Sequence, residues 1–203
     1  RPQACKLFRT GAWPAGPYAA AVQGASPSNI RTMRRAAAKA TGIRASGRCA
    51  TTAIALRLDG KGDPGVLFPV DQVKAWVQLW FDSEDVRTQA PRIWGKTLLK
   101  VAPLRGRWAK VAGPAAATVA VLVELGWWPA QAARWRDNFG DEWEVADSRY
   151  TPAFLRHLAK HAELRLWVKA ASHHCGGGLQ QHTYFVSKLS VLSALMQKEE
   201  FGM

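Results

Sequence analysis

The five histidines of this 203-residue chain all lie between residues 157 and 182. His157 and His161 are four residues apart, so on a helix both rings project to one side, as they do where a helix offers two nitrogens to a zinc ion. The glutamate of a metalloprotease helix is missing between them, and Cys175 has no nearby second cysteine. We therefore expect partly exposed histidines and predict neither metal nor cofactor; a zinc-stabilised fold or zinc enzyme is the less favoured alternative.

The other reactive residues do not form a catalytic pattern. Cys175 directly follows His174, but neighbours on a helix point about 100 degrees apart and do not form a dyad. The triple glycine 176–178 lacks the lysine and hydroxyl residue of a phosphate loop and is typical of a helix end. Adjacent acids stand only in polar or turn-like segments, namely Glu84-Asp85, Asp141-Glu142 and Glu199-Glu200. A two-metal site needs acids that converge from separated apolar positions, so no catalytic residue is predicted.

Positive charge is concentrated at the start of the chain. The whole sequence has 28 Lys and Arg against 15 Asp and Glu, a net charge of +13, and residues 1–60 hold ten of those basic residues but one acid, Asp59. Each cation that neutralises a phosphate releases condensed counterions, so such a segment indicates contact with a nucleic-acid backbone. A solvated basic face without a partner is the alternative.

One helix is predicted to provide most of this contact. Ser26-Pro27 supplies an N-cap and a first-turn proline, Gly42 supplies an end, and apolar residues recur between them at helical spacing. Basic residues three and four apart occupy the remaining surface as a stripe. The predicted nucleic-acid-binding residues are Arg31, Arg34, Arg35 and Lys39 on this helix, with Arg44, Arg48, Arg105 and Arg107 elsewhere.

Ten tryptophans, eight of them between Trp76 and Trp143, offer a second type of contact. Arginines flank Trp108 and Trp135, and aromatic rings interleaved with arginine can stack on unpaired bases. Tryptophans at helical spacing, such as Trp76 and Trp80, are more typical of a hydrophobic core. Burial in the core therefore stays open as the alternative for each ring.

The predicted fold class is mostly α, with at most a small hairpin around the turn 138–141. Turn-forming residues at 59–65 predict the main boundary, between a basic helical segment (1–60) and a Trp-rich helical domain (61–203). Further helices are expected after Pro69, from Glu84 with a break or kink at Pro91, and from Thr151 and Thr183. The helix after Gly113 is apolar nearly all around, so it should be the most buried.

The chain shows no segment for crossing or entering a membrane. Its longest uncharged apolar stretch, residues 111–123, is shorter than the roughly 20 residues that a span needs. The three widely separated cysteines predict a reducing, intracellular location in the nucleus or cytoplasm. Because the sequence begins with Arg1 and has no leader peptide, we expect it to be cut from a longer reading frame.

The sequence resembles a known family along most of its length. The succession Trp13-Pro14, Tyr18 to Gly24, Ser26 and Arg34-Arg35 resembles the stretch after the palm in reverse transcriptases of non-LTR (LINE-type) retrotransposons, where it leads into the thumb. Later motifs resemble the region beyond the thumb in retroelement polyproteins of dinoflagellate algae. They include Gly47-Arg48-Cys49, Asp63-Pro64, residues 107–114, Leu125-Gly126-Trp127, Gly140-Asp141 and Gly177-Gly178-Leu179.

The resemblance implies a segment that lies between a polymerase domain and, in some relatives, a ribonuclease-H-like domain. The catalytic carboxylates of that RNA-directed DNA polymerase would precede Arg1, so the chain is not expected to be an enzyme on its own. Its implied role is a thumb and connection region that grips a template-primer duplex or element RNA through backbone contacts. The alternative is a non-catalytic structural or protein-interaction domain of the same polyprotein.

Overall fold

The computed structural model describes residues 2–13, 20–44, 48–58, 62–147 and 151–174. Helices dominate these ranges and the sheet within them is one two-stranded hairpin, which confirms the predicted mostly α class. The helices are α1 (Pro2–Leu7), which runs into a π-helical turn (Phe8–Ala12), α2 (Ala20–Gln23), α3 (Pro27–Ala40), α4 (Ala50–Leu58), α5 (Pro64–Asp82), α6 (Glu84–Val101), a 3₁₀ turn (Arg107–Lys110), α7 (Pro114–Glu124) and α8 (Thr151–His174). No helix in the described ranges is long and apolar enough to cross a bilayer.

The chain divides into two compact units, residues 1–163 and 164–203. Helix α3 packs against both α4 and α5, so elements on the two sides of the boundary expected at residues 59–65 are in contact, and that boundary stays a prediction. An ion pair between Arg34 and Asp63 also joins the two sides of the expected boundary. Of the second unit, the structure describes only the end of α8. The expected helix from Thr183 lies outside the described residues.

Helix α7 lies at the centre of the first unit, as predicted. Ala117, Val119, Ala120 and Leu122 are fully buried, and α2, α5 and α6 pack around them. The helix begins at Pro114, whose missing N–H is one that the first turn leaves unpaired in any case. An apolar helix of this kind gains its stability from burial, since each fully buried Val or Leu contributes about 1.5–3 kcal/mol.

Two prolines lie inside helices. Pro69 was expected to precede the start of its helix, and Pro91 was expected to break or kink its helix. Helix α5 begins at Pro64 rather than after Pro69, because the Asp63 carboxylate caps it by accepting a hydrogen bond from the Gly65 N–H at 2.8 Å. Helix α6 runs through Pro91 without ending. Pro91 has no N–H, so the backbone carbonyl one turn earlier lacks its helical hydrogen bond. Because Pro91 is exposed, water can hydrate that carbonyl.

The predicted hairpin is present. Strands β1 (Arg134–Arg136) and β2 (Glu142–Glu144) are antiparallel, with Trp135 opposite Trp143. Trp135 is fully buried and its ring contacts Phe154 of α8, which also contacts Trp143. The alternation of exposed and buried residues in β1 follows from the two-residue period of a strand that covers a core with one face. The hairpin therefore closes the core beside α8.

Candidate nucleic-acid interface

Helix α3, the predicted binding helix, is fixed at both ends. The Ser26 hydroxyl accepts a hydrogen bond from the Asn29 N–H at 3.3 Å, and Pro27 occupies the first turn. At the other end the Thr41 hydroxyl donates to the Ala38 carbonyl at 2.7 Å, and Gly42 follows with a φ of 71°, a conformation that glycine adopts without strain. These caps satisfy terminal backbone groups and define where the helix begins and ends.

Three of the predicted cations lie on the exposed side of α3: Arg31, Arg35 and Lys39. They are spaced four residues apart and so follow one another along one helix face, which we call the α3 basic row. Ala37 and Ala38 of the same helix are buried in the core with Ile54 and Leu58. None of the three cations has an ion-pair partner among the described residues. The row is therefore open to an anionic partner.

Arg34 does not belong to this row. Its Nε and Nη2 donate to the two carboxylate oxygens of Asp63 at 2.8 and 2.9 Å, and Nη2 also donates to the Thr51 hydroxyl at 2.8 Å. The Asp63 side chain is 5% exposed and that of Arg34 is 18% exposed. This two-point pairing links α3, α4 and the start of α5, so the guanidinium stabilises the fold instead of facing a partner.

Arg48 and Arg107 also make hydrogen bonds within the protein, whereas Arg44 and Arg105 are exposed. Arg48 donates to the carbonyls of Ala38 and Ile43 at 3.0 and 2.7 Å, which closes the end of α3. Arg107 is half-buried, donates to a carbonyl at the end of α6 and lies 3.9 Å from a carboxylate of α7. Arg44 and Arg105 are exposed. Of the eight predicted contact residues, five remain exposed: the α3 basic row, Arg44 and Arg105.

Another group of exposed cations was missed by the sequence analysis. Arg92, Lys96 and Lys100 are also four residues apart, and all three are exposed on α6; we call them the α6 basic row. The spacing was readable from the sequence. It was overlooked because Pro91 was expected to break or kink the helix there, whereas α6 continues to Val101.

The two tryptophans that were candidates for base stacking, Trp108 and Trp135, make contacts within the protein. Trp135 is fully buried, and Trp108 is half-buried with its Nε1 donating to the Glu124 carboxylate at 2.6 Å. By contrast Trp128 is 53% exposed, although its backbone is held by two hydrogen bonds with Arg136 at 2.7 and 2.9 Å. The structure thus presents an aromatic surface at a position that the sequence analysis did not select.

The first two histidines belong to a packed polar cluster beneath the hairpin. The Asp137 carboxylate is fully buried, and one of its oxygens accepts hydrogen bonds from the Trp143 indole at 3.1 Å and from Nε2 of His157 at 3.0 Å. The other oxygen accepts the backbone N–H groups of Phe139 and Asp141 at 2.8 and 3.0 Å. With four donors, the carboxylate is committed to holding the turn and α8 together.

Burial alone would raise the pKa of Asp137, because it disfavours the charged form. Hydrogen bonds from Trp143, Phe139 and Asp141, together with the nearby His157, favour the charged form more strongly, so the pKa of Asp137 is lowered. The carboxylate therefore stays ionised at neutral pH. It accepts the hydrogen bond that orients the His157 ring but is not suited to release or take up a proton there.

His161 is buried and accepts a hydrogen bond from the Trp127 indole at Nδ1, so that nitrogen carries no proton. Its ring and that of His157 are stacked with centroids 6.3 Å apart. In the described ranges no three His, Cys, Asp or Glu side chains are grouped as metal ligands. The side chains of His173 and His174, and residues 175–203 with Cys175 and His182, lie outside what the structure describes.

No protein-family model, curated protein or solved structure matches this chain.

Proposed function

We propose that this chain binds the backbone of a nucleic acid through the α3 basic row, as the thumb and connection region of a retroelement reverse transcriptase. The observation that carries the proposal is the exposure of Arg31, Arg35 and Lys39 in line on one helix, with no carboxylate paired to them among the described residues. The retroelement context rests on the resemblance of the sequence. The mode of binding rests on the placement of charge.

The spacing of the row suits a chain of phosphates. Four residues of α-helix rise about 6 Å, so the three charges extend over about 12 Å of the helix axis. The phosphates of a nucleic-acid strand also form a regular, closely spaced row of charges, so a row of cations of this length can lie along one backbone. Two of the three are arginines, whose fork of N–H donors can bind phosphate oxygens at two points. Such contacts hold a duplex without reading its sequence.

The helix that carries the row is held firmly. Arg34 ties its middle to Asp63 and Thr51, while Arg48 closes its end through the carbonyls of Ala38 and Ile43. A preorganised row loses less conformational entropy on binding than the same cations on a mobile loop. These two half-buried arginines thus support binding indirectly, by fixing the helix on which the exposed cations lie.

The proposal is tested by fluorescence anisotropy with labelled double-stranded DNA, double-stranded RNA and an RNA–DNA hybrid, titrated at several salt concentrations. The test variant is Arg31→Ala/Arg35→Ala, and the charge-matched control is Lys74→Ala/Arg156→Ala, which removes two exposed cations from α5 and α8. On B-DNA the logarithmic salt slope of the test variant should be shallower by about 1.8, because each phosphate contact contributes about 0.9.

The control variant has the same net charge as the test variant, so a general charge effect would weaken both equally. Equal affinities and slopes for the two, with both proteins folded, would remove α3 from the interface. Stability should not confuse the comparison, since exposed substitutions usually change the free energy of unfolding by no more than about 0.5 kcal/mol.

The exposed Trp128 favours protein binding as a second candidate function. Tryptophans are enriched among the residues that dominate protein interfaces, and this ring is 53% exposed on a backbone pinned to β1. Its neighbours across the sheet face, Arg136 and Glu142, form an ion pair at 3.1 Å, so the face is close to neutral. If Trp128→Ala leaves nucleic-acid affinity unchanged but abolishes association with the adjoining polymerase domain, this second function gains support. A loss of nucleic-acid affinity alone would instead assign the ring to base stacking.

A further inference from the structure

Helix α6 presents a second surface of unopposed positive charge. Arg92, Lys96 and Lys100 are exposed at intervals of four residues, and Arg105 is exposed a short distance beyond the helix end. None of these four has an ion-pair partner among the described residues. The row is as long as the α3 basic row and, like it, advances about 6 Å along the axis per cation.

The other charges of α6 do not neutralise this row. Glu84 and Asp85 lie in the first turn, where acids interact favourably with the positive end of the helix dipole. From Asp85 to Arg92 the helix rises about 10 Å, which is about one Debye length at 0.1 M salt. Arg87 is already engaged, since it donates to the backbone carbonyls at the end of α5. Within α6, therefore, no acid lies close enough to pair with the row.

The opposite side of α6 shows that the helix is not an amphipathic membrane anchor. Ala90, Trp94 and Val101 are at most 2% exposed, and the Trp94 indole donates to the Pro129 carbonyl at 2.9 Å. A helix that lies in a bilayer surface must bury its apolar side in lipid, and this side is already buried in the core. What α6 offers outside is a row of cations with two large exposed apolar side chains beside it, Ile93 and Leu99, which are 49% and 80% exposed.

We propose that the α6 basic row, extended by Arg105, is a second contact for nucleic-acid phosphates, separate from the α3 basic row. This inference rests on the proposed nucleic-acid binding and deepens it: the partner is a backbone long enough to engage two rows. Charge complementarity selects a polyanion, and the regular spacing of about 6 Å matches a regular array of phosphates better than isolated acidic side chains. The row binds by charge alone and adds no base specificity.

The experiment compares four full-length variants by anisotropy on duplexes of about 10 and about 30 base pairs, which correspond to about one and about three helical turns. They are Lys96→Ala/Lys100→Ala, the α3 variant Arg31→Ala/Arg35→Ala, the control Lys74→Ala/Arg156→Ala, and Leu99→Ala. On the longer duplex the α6 variant should show a salt slope shallower by about 1.8 than that of the wild type. Between about 50 and about 200 mM salt, its affinity should then fall about twelvefold less than that of the wild type.

The outcomes separate this inference from the proposed function. If the α6 variant matches the control while the α3 variant is impaired, the second contact is wrong and the α3 interface stands. If both match the control, nucleic-acid binding by either row is wrong. Leu99→Ala should bind as the wild type does, because phosphates make no apolar contact. Loss of binding by Leu99→Ala would overturn the inference in favour of a protein surface. The inference would also be overturned, in favour of a lipid surface, if the α6 variant lost binding to phosphatidylserine vesicles but kept its nucleic-acid affinity.

Discussion

Replacing Arg34 should damage the fold, whereas replacing its neighbours on α3 should damage binding. The Arg34 guanidinium makes two hydrogen bonds to Asp63 and one to Thr51, all between 2.8 and 2.9 Å. Arg34→Ala would leave the Asp63 carboxylate, which is 5% exposed, without its cation. Arg31→Ala removes an exposed side chain on the same helix and serves as the matched control.

The expected magnitude follows from the burial of the pair. Removing one partner of a buried ion pair costs about 3–5 kcal/mol of unfolding free energy, and the 18% exposure of the Arg34 side chain places this case near the lower end, about 3 kcal/mol. In a protein of this size that corresponds to a fall in Tm of about 6–12 °C. The control should change by no more than about 0.5 kcal/mol, or about 2 °C.

The assay is urea unfolding followed by tryptophan fluorescence, with a double-mutant cycle to isolate the pair. Asp63→Asn retains an oxygen that can still cap α5 at Gly65 but removes the negative charge. The coupling energy between Arg34→Ala and Asp63→Asn should be about 1–3 kcal/mol. If Arg34→Ala does not yield folded protein, Arg34→Lys keeps the charge without the two-point geometry and should be intermediate. Equal stability of Arg34→Ala and Arg31→Ala would refute the assignment.

Two further predictions concern positions outside α3. Gly24→Ala should lower Tm by several degrees, because Gly24 has a φ of 71° and an added Cβ would lie 2.5 Å from the Trp108 ring. The control is Gly95→Ala, where an added Cβ would meet no neighbouring side chain within 4 Å; thermal melting should show this variant to be neutral or slightly stabilised. Because the folded-state pKa of Asp137 is lowered, its charge stabilises the protein above the unfolded pKa of about 3.9, and this stability is lost as pH falls through the folded pKa. Asp137→Asn should therefore be less stable than the wild type near pH 7 and lose less stability between about pH 5 and about pH 2 in urea titrations, whereas parallel curves would contradict the role assigned to the carboxylate.

The sequence was sufficient for features whose signals are local. The cap at Ser26, the first-turn Pro27 and the end at Gly42 predicted α3 closely, because each acts through backbone groups a few residues away. The hairpin was expected from the turn at 138–141, and the burial of α7 followed from its apolar residues on every side. These elements needed no knowledge of what packs against them.

The roles of individual arginines could not be predicted in this way. Arg34 and Arg35 are adjacent, and local spacing places both near the exposed side of α3. Which of them turns inward depends on Asp63, which is 29 residues further along the chain. Asp63 was interpreted as part of a turn-rich break. Its role as the cap of α5 was not recognised, because that helix was expected to start after Pro69. Tertiary contacts thus decide which cations are left for a partner.

The cations that remain exposed on α3 repel one another along the helix. Arg31 and Arg35, and likewise Arg35 and Lys39, are like charges four residues apart, and each such pair destabilises a helix by about 0.2–0.5 kcal/mol. The core packing of Ala37 and Ala38 supports the helix in spite of this repulsion. A row of phosphates would replace the repulsion between the cations with attraction. Their arrangement on α3 does not follow from the stability of the free helix, and it agrees with the anionic partner proposed above.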